Sequence, residues 1–193
     1  ERPNFFATDG DKQEDDWSFR RSKWFKNIEK ECKNVKENVG LLDMTAFAKC
    51  RIKGPGAEQF LDKLVANKLP KKIGRINLCH ALNTKGGVHS EFTIMREAED
   101  SFYLVSAGAY QRLDHDWIHK WMPNDRTVQF ENLTNSTGVL VVSGPKARQL
   151  MQKVSKADFS NDKFKWLSAQ NINIGLAPCN AMRVNFVGEL GWE

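Results

Sequence analysis

The sequence predicts an α+β protein, in which strands outnumber helices and do not alternate regularly with them. Three observations favour this class. Helical apolar spacing is confined to short stretches, β-rich runs are more numerous, and a strand followed by Gly-Pro and a helix occurs twice. At 193 residues, with 40% apolar and 27% charged residues, the chain can bury a substantial core. We expect one large domain or two small ones.

The first helical pattern runs from Ser22 to Val39 and carries one apolar stripe at spacings of three and four residues. Ser22 can cap this helix, and Gly40 suits its end. The stripe consists of Phe25, Ile28, Cys32, Val35 and Val39. A second helix, from about Tyr110 to Trp121, is expected to bury Leu113, Trp117, Ile118 and Trp121.

One structural plan occurs twice along the chain. A strand from about Ala48 to Lys53 leads into Gly54-Pro55 and a short helix, and a run from Val139 leads into Gly144-Pro145 and another. Proline suits the first helical turn because its missing N–H is no loss there. The repetition predicts two related modules. The predicted organisation is a connecting arm (1–24), a first module (25–133) and a second module that is incomplete at its C-terminal end (134–193).

Four further segments read as strands, and one reads as a loop. The alternation of apolar and polar residues predicts strands near 76–82, 90–96, 101–106 and 180–187. The short apolar segment at 41–47 is interpreted as a loop. These segments supply most of the sheet.

Charge and cysteine usage limit the possible functions. The net charge is +5, but the lysines of the first helix alternate with acids, which indicates a solvated face rather than a nucleic-acid patch. A diffuse positive field also suits an anionic small ligand. No apolar run reaches the roughly 18 residues of a membrane helix. The four cysteines lack C-x-x-C spacing, so we expect neither a zinc site nor a disulfide framework. A protein without disulfides suits a reducing compartment, and we expect one.

Several cofactor motifs are missing from the sequence. It contains no dinucleotide fingerprint, no Walker loop and no G-x-S-x-G. We therefore expect no flavin or nicotinamide site in this stretch. His115 and His119 have a spacing that can hold a metal, but no third ligand is near them in sequence, so no metal site is predicted.

Glu91 is the candidate reactive carboxylate. It follows the turn signal Lys85-Gly86-Gly87 and lies near the start of a predicted strand. A rigid strand next to a turn can hold an acid near an opening. The alternative is an exposed glutamate on the polar face of an amphipathic strand.

Five ordered blocks carry a family resemblance: residues 41–64, G-G-V-H-S-E-F-T-I (86–94), F-Y-L-V-S-A-G-A (102–109), S-G-P-K-A-R-Q-L (143–150) and N-F-V-G-E-L-G-W-E (185–193). Together they resemble the folate-binding aminomethyltransferase family of the glycine-cleavage T-protein type. Within it, they look most like the C-terminal half of the dimethylglycine and sarcosine dehydrogenases. The resemblance implies a T-protein-like folate-binding fold.

The resemblance also implies an activity. Such a domain transfers a one-carbon unit from an imine or aminomethyl donor to tetrahydrofolate, giving 5,10-methylenetetrahydrofolate. FAD would belong to a missing N-terminal part, and a flavin dehydrogenase domain would be the partner in cis or in trans. The implied compartment is the mitochondrial matrix in a eukaryote or the cytoplasm in a bacterium, without nucleic-acid or membrane partners. Two alternatives are a catalytically idle folate-binding or structural module, and a T-protein served by a lipoyl carrier protein.

The family pattern assigns roles to particular positions. Glu91 falls on the family's catalytic Asp, and Glu193 on the carboxylate that holds the pterin; Glu189 is its nearby rival. An ionised glutamate can accept two neighbouring N–H groups side by side. Phe47 matches an apolar position near the folate ring, and Ser106 a polar pocket position. Two positions depart from the T-protein pattern, since Leu78 and Met95 replace its pocket tyrosines. Leu78 is kept as a cofactor-binding candidate.

Overall fold

The computed structural model describes residues 7–15, 17–185 and 188–193. Within these ranges the chain forms four α-helices and ten strands. The helices are α1 (Phe25–Glu37), α2 (Ala57–Leu64), α3 (Gln111–Trp121) and α4 (Ala147–Val154). The strands are β1 (Gly40–Asp43), β2 (Ala48–Lys53), β3 (Ile76–Leu82), β4 (Val88–Ala98), β5 (Ser101–Ser106), β6 (Gln129–Asn132), β7 (Leu140–Ser143), β8 (Ala169–Ile174), β9 (Ala177–Met182) and β10 (Gly191–Trp192).

The larger sheet has five antiparallel strands in the order β3-β4-β5-β2-β6. Side chains alternate between the two faces along each strand, so each face carries its own set of residues. The two faces are covered by different parts of the chain. On one face, α2 and α3 bury an apolar core against the sheet, built from residues that include Ile52, Phe60, Leu61, Phe92, Ile94, Leu104 and Ile118. On the other face, Ile76, Met95 and Val105 pack against Ala169, Met182 and Val184 of the second half of the chain.

The second half of the chain, together with β1, forms a second copy of this strand order. Strand β7 pairs with β1 on one side and with β10 on the other, and β8 and β9 form a hairpin. Glu193 and Met182 then exchange two backbone hydrogen bonds of 2.9 and 2.7 Å, which join β10 to β9. The resulting order β8-β9-β10-β7-β1 matches β3-β4-β5-β2-β6.

The two five-strand arrangements, β3-β4-β5-β2-β6 and β8-β9-β10-β7-β1, are called the two copies. Equivalent residues in them have equivalent geometry. Gly54 and Gly144 both have a positive φ, of 115° and 131°, and their carbonyls accept from the first amide of α2 and of α4. Phe102 pairs with Ile52 in one copy, and Trp192 pairs with Val142 in the other. The structure therefore confirms two related strand–Gly-Pro–helix modules within an α+β fold.

The two copies are joined by a short reciprocal contact. The Ile76 amide donates to the Leu167 carbonyl at 3.1 Å, and the Ala169 amide donates to the Gly74 carbonyl at 2.7 Å. Gly74 and Leu167 both have positive φ, of 78° and 54°. Each copy thus turns sharply just before its hairpin and pairs with the other copy at that turn.

Strand β1 links the predicted modules. It lies in the segment 25–133 by sequence, but it pairs with β7 of the segment 134–193. The interpretation of residues 41–47 as a loop was therefore wrong for the first three of them, because pairing with a distant strand makes them extended. The arm and module boundaries stay a prediction, and residues 1–6 and 16 of the arm lie outside the described residues.

Two helical predictions need correction. Helix α1 has no buried residue, and Ser22 offers it a backbone carbonyl rather than a side-chain cap. Helix α3 has the predicted bounds, but it buries Asp114 and Ile118. Two of its residues that were expected in the core, Leu113 and Trp121, are exposed.

The remaining strand predictions hold with shifted ends. Strands β2, β3 and β5 occupy the expected residues, and β4 extends the predicted 90–96 to Val88–Ala98. The strand expected at 180–187 is β9, which runs from Ala177 to Met182 because it pairs with β8. Residues 186 and 187 lie outside the described residues.

Gly54→Ala should lower the free energy of unfolding by about 3 kcal/mol, because it adds strain at positive φ to a steric clash. An added Cβ at Gly54 would lie 2.5 Å from the Thr127 carbonyl oxygen, whereas one at Gly86, with φ of 79°, meets nothing within 4 Å. The control Gly86→Ala should therefore cost only about 1 kcal/mol. Urea unfolding of both variants measures the difference. Equal losses would show that the close contact contributes nothing.

Candidate functional site

A cavity of about 1190 Å³ lies between the two copies. Among the described residues, its wall is formed by α1, β1, β4, the end of β5, the first turn of α3 and β7, together with Val184, Asn185, Glu189 and Glu193. A cavity at the meeting of two sheets and a helix is concave enough to enclose most of a small ligand. It is the candidate functional site.

Four of the five candidate site residues come together in this wall. Phe47, Glu91, Ser106 and Glu193 all line the cavity although they are far apart in sequence. Leu78 is not among the described lining residues. It lies on β3, opposite the lining residue Thr93 of β4, and is therefore one strand further out on the same face.

The cavity wall is acidic, although the chain is basic. Among its described lining residues no lysine or arginine occurs, and five carboxylates do: Glu31, Glu91, Asp114, Glu189 and Glu193. Ionised carboxylates only accept hydrogen bonds, so the wall attracts cations and N–H donors. The net charge of +5 suggested an anionic ligand, but the cations that produce it lie elsewhere on the protein.

Glu91 lies on β4 directly opposite His80 on β3. The Nε2 atom of His80 and the Oε2 atom of Glu91 are 2.9 Å apart, and the Glu91 side chain is 52% exposed. The imidazole holds the carboxylate at the accessible edge of the cavity. Sequence reasoning missed His80.

The position of His80 follows from an irregularity in the hairpin. The turn pairs Asn83 with Gly87, and counting outward from it places His80 opposite Ser90. A register shift between Ala81 and Leu82 moves the partner of His80 to Glu91 instead. No signal in the sequence marks this bulge.

Glu193 reaches the cavity from the strand that joins the two halves of the second sheet. Its backbone is fixed by Met182, while no described residue hydrogen-bonds its side chain. Burial raises the pKa of the Glu193 carboxyl above its ordinary value of 4.5. Burial and the nearby Glu193 charge also raise the pKa of the Tyr103 phenol.

Glu189 adds a second carboxylate with unused acceptor capacity. Its Oε2 atom is buried and has no hydrogen-bond partner among the described residues. Leaving such an oxygen without a donor is costly, by about 1–3 kcal/mol or more for a charged group. Glu189 and Glu193 therefore both offer acceptors for a ligand with N–H groups.

Phe47 is held by a buried cation. Lys49 is 1% exposed, and its ammonium donates to the carbonyls of Thr45 and Phe47 at 2.7 and 2.9 Å. Burial lowers the pKa of Lys49. These two hydrogen bonds fix the loop after β1 and place the Phe47 ring in the apolar part of the wall beside Val105.

Ser106 is paired inside the wall with a residue that sequence reasoning assigned to no role. Its hydroxyl donates to Oδ2 of Asp114 at 2.6 Å, and Asp114 is 3% exposed. The helical apolar pattern favoured Leu113 and Trp117 as inward residues. In the structure, the residue of the first turn of α3 that lines the cavity is Asp114.

The described residues contain no group of three or more His, Cys, Asp or Glu that could hold a metal ion. His115 and His119 have structural contacts instead. The Nδ1 atom of His119 donates to the His115 carbonyl at 2.7 Å, and both rings pack against Phe130. None of the described helices is both long and apolar enough to cross a bilayer.

Comparison with known proteins shows that the chain is an aminomethyltransferase-type domain. The model of the GCVT N-terminal domain family matches residues 1–193, and the chain belongs to this family. The family resemblance and the T-protein-like α+β fold are therefore confirmed.

Similar proteins include mitochondrial dimethylglycine dehydrogenase of Mus musculus, 37% identical over 194 residues, which cover 100% of this chain and 22% of that protein. The aminomethyltransferase of Thermoanaerobacter sp. (strain X514) is 30% identical over 173 residues, covering 88% of this chain and 46% of that protein. The crystal structure of glycine cleavage system aminomethyltransferase T from Bartonella henselae matches with a TM-score of 0.71 at 21% identity, over 84% of this chain and 43% of that one. The chain thus spans about a fifth of the dehydrogenase and less than half of the aminomethyltransferases.

Glu193→Gln should make the free energy of unfolding less dependent on pH. Because burial raises the pKa of Glu193 in the folded protein, its contribution is fully present below the unfolded pKa and is lost as the pH rises through the folded pKa. The wild type should therefore lose stability relative to the variant over the pH range that begins near the ordinary carboxyl pKa of 4.5 and extends above it. Urea unfolding without ligand at each pH measures this difference. A constant difference across that range would contradict it.

Proposed function

We propose that the chain is a tetrahydrofolate-dependent one-carbon transfer domain of a dimethylglycine or sarcosine dehydrogenase-like enzyme, with 5,10-methylenetetrahydrofolate as product. The observation that carries the proposal is the cavity lined by five carboxylates and, among its described residues, by no lysine or arginine. The family membership and the related aminomethyltransferase support it.

The residues present fit a reduced folate. Its pterin ring carries several N–H groups and an exocyclic amine, which are the donors that an acceptor-rich wall requires. The buried Oε2 of Glu189 and the carboxylate of Glu193 lack donors among the described residues. The cavity volume of about 1190 Å³ is large enough for such a ligand.

We assign the binding roles from the position of each side chain in the wall. Glu193 would accept two neighbouring N–H groups of the pterin edge, and Glu189 would accept a further donor. Phe47 would pack against the ring, held in place by Lys49. Ser106 would contribute a polar contact. Leu78 lies one strand further out than the lining residue Thr93, so its assignment as a cofactor-binding residue stays a prediction.

Glu91 is the proposed catalytic residue. Bound tetrahydrofolate supplies a nucleophilic secondary amine for the one-carbon unit. At the cavity edge, a Glu91 oxygen can take up the proton released there and can stabilise a neighbouring positive charge. His80 donates to Oε2 and so orients the carboxylate. Glutamate is one methylene longer than the aspartate of the family pattern, and the contact with His80 fixes this longer side chain.

The activity of the whole protein is part of the proposal. The matched dehydrogenase is more than four times as long as this chain, so an FAD-dependent part would supply the donor in cis or in trans. The substrate of that part would be an N-methyl amine. The mitochondrial name of one relative and the bacterial source of the other support a location in the matrix or the cytoplasm, respectively.

A catalytically idle module is the second candidate. Leu78 and Met95 replace the tyrosines of the family pattern, and Glu91 is engaged by His80. Such a module would bind folate without transfer. Binding and transfer must therefore be measured separately.

Glu193→Gln should weaken tetrahydrofolate binding by about tenfold to a hundredfold, because the amide replaces one of two charged acceptors with a donor. Anaerobic calorimetric titration of the chain measures the dissociation constant. Glu99→Gln is the matched control, since Glu99 is exposed and is not among the lining residues. Absence of tetrahydrofolate binding by the wild type would sink the proposed function.

Glu91→Gln should keep tetrahydrofolate binding within about threefold and lose at least about a hundredfold in transfer, the usual scale of general acid–base catalysis. Transfer is followed as labelled one-carbon unit entering 5,10-methylenetetrahydrofolate, with the flavin dehydrogenase part supplied. Normal binding without transfer by the wild type would favour the idle module instead.

A further inference from the structure

The Ser106–Asp114 pair gives one part of the cavity wall a fixed hydrogen-bonding polarity. Ser106 ends β5, and Asp114 lies in the first turn of α3, so two rigid elements hold the two side chains 2.6 Å apart. Both residues line the cavity, and Asp114 is almost completely buried.

The Asp114 side chain makes few other interactions in the described part of the chain. It does not cap α3, and its hydrogen bond with Ser106 is the one that its side chain makes there. The positive end of the helix dipole favours a negative charge in this first turn. The helix thus favours the ionised form of Asp114, whose remaining acceptor capacity is available to the cavity.

The chemistry of the two groups determines what they offer a ligand. A carboxylate only accepts, so the single hydroxyl proton of Ser106 is committed to Asp114. The groups that remain free to face the cavity are the oxygen lone pairs of Ser106 and Asp114. This part of the wall therefore accepts hydrogen bonds and donates none.

We propose that Asp114 is a specificity-determining residue that makes the cavity select reduced over oxidised folate. The inference rests on the proposed function. The ring nitrogens N5 and N8 carry hydrogens in tetrahydrofolate and are bare acceptors in folic acid. The acceptor-only pair of Ser106 and Asp114 satisfies the first kind of nitrogen and leaves the second facing lone pairs. A hydrogen-bonding site rejects a ligand that leaves its buried polar groups unpaired.

The test compares the affinities of tetrahydrofolate and folic acid, measured anaerobically by calorimetry, for the wild type and for Asp114→Asn. The amide brings an N–H₂ group into the wall and allows Ser106 to turn its proton toward the ligand. We expect the preference for tetrahydrofolate to fall by about tenfold, the equivalent of one hydrogen bond. Asp116→Asn, an exposed change on the same helix, should leave the preference unchanged.

Ser106→Ala tests the same proposal independently. It replaces Asp114→Asn as the test variant if thermal unfolding shows that Asp114→Asn does not fold. It removes the acceptor at Ser106 and should weaken tetrahydrofolate binding by about tenfold with little effect on folic acid. Equal weakening of both ligands in the two variants would show a merely structural role and overturn the proposal while leaving the proposed function intact. Binding of neither folate by the wild type would overturn both.

Discussion

Two backbone hydrogen bonds, from Ile76 to Leu167 and from Ala169 to Gly74, join the two copies and so determine where the candidate site lies. They place the hairpin of each copy against the sheet of the other, so that residues 169–184 cover the open face of the five-stranded sheet. The cavity lies beside β4 and the end of β5, next to this cover. A change in these hydrogen bonds would move both walls of the site relative to each other.

Local patterns predicted local structure well. The bounds of β2, β3 and β5 and the two Gly-Pro helices follow from alternation and from turn chemistry, which involve neighbouring residues. The misinterpreted segments depend on distant partners. Strand β1 is extended because β7 lies beside it, and the apolar stripe of α1 has little to pack against in the described residues. Nothing within a segment of ten residues reports such partners.

The candidate site was predictable only where the family pattern named a position. Phe47, Glu91, Ser106 and Glu193 were each identified from ordered motifs, and the fold brings them into one wall. Their partners could not be found in that way. His80 meets Glu91 through a bulge, while Asp114 meets Ser106 across a strand–helix connection. A partner of this kind depends on side-chain direction, which composition and spacing do not report.

The matching of the two copies has a consequence for molecular symmetry. Tyr103 follows Phe102 as Glu193 follows Trp192, so the phenol and the carboxylate occupy corresponding places in the two copies, and the charge of Glu193 acts on Tyr103. Two carboxylates at these places would repel each other. Glu193 lines the cavity and Tyr103 is not among the described lining residues, so the two copies contribute unequally at these corresponding positions. A flat ligand therefore meets a carboxylate there from one copy and no equivalent group from the other.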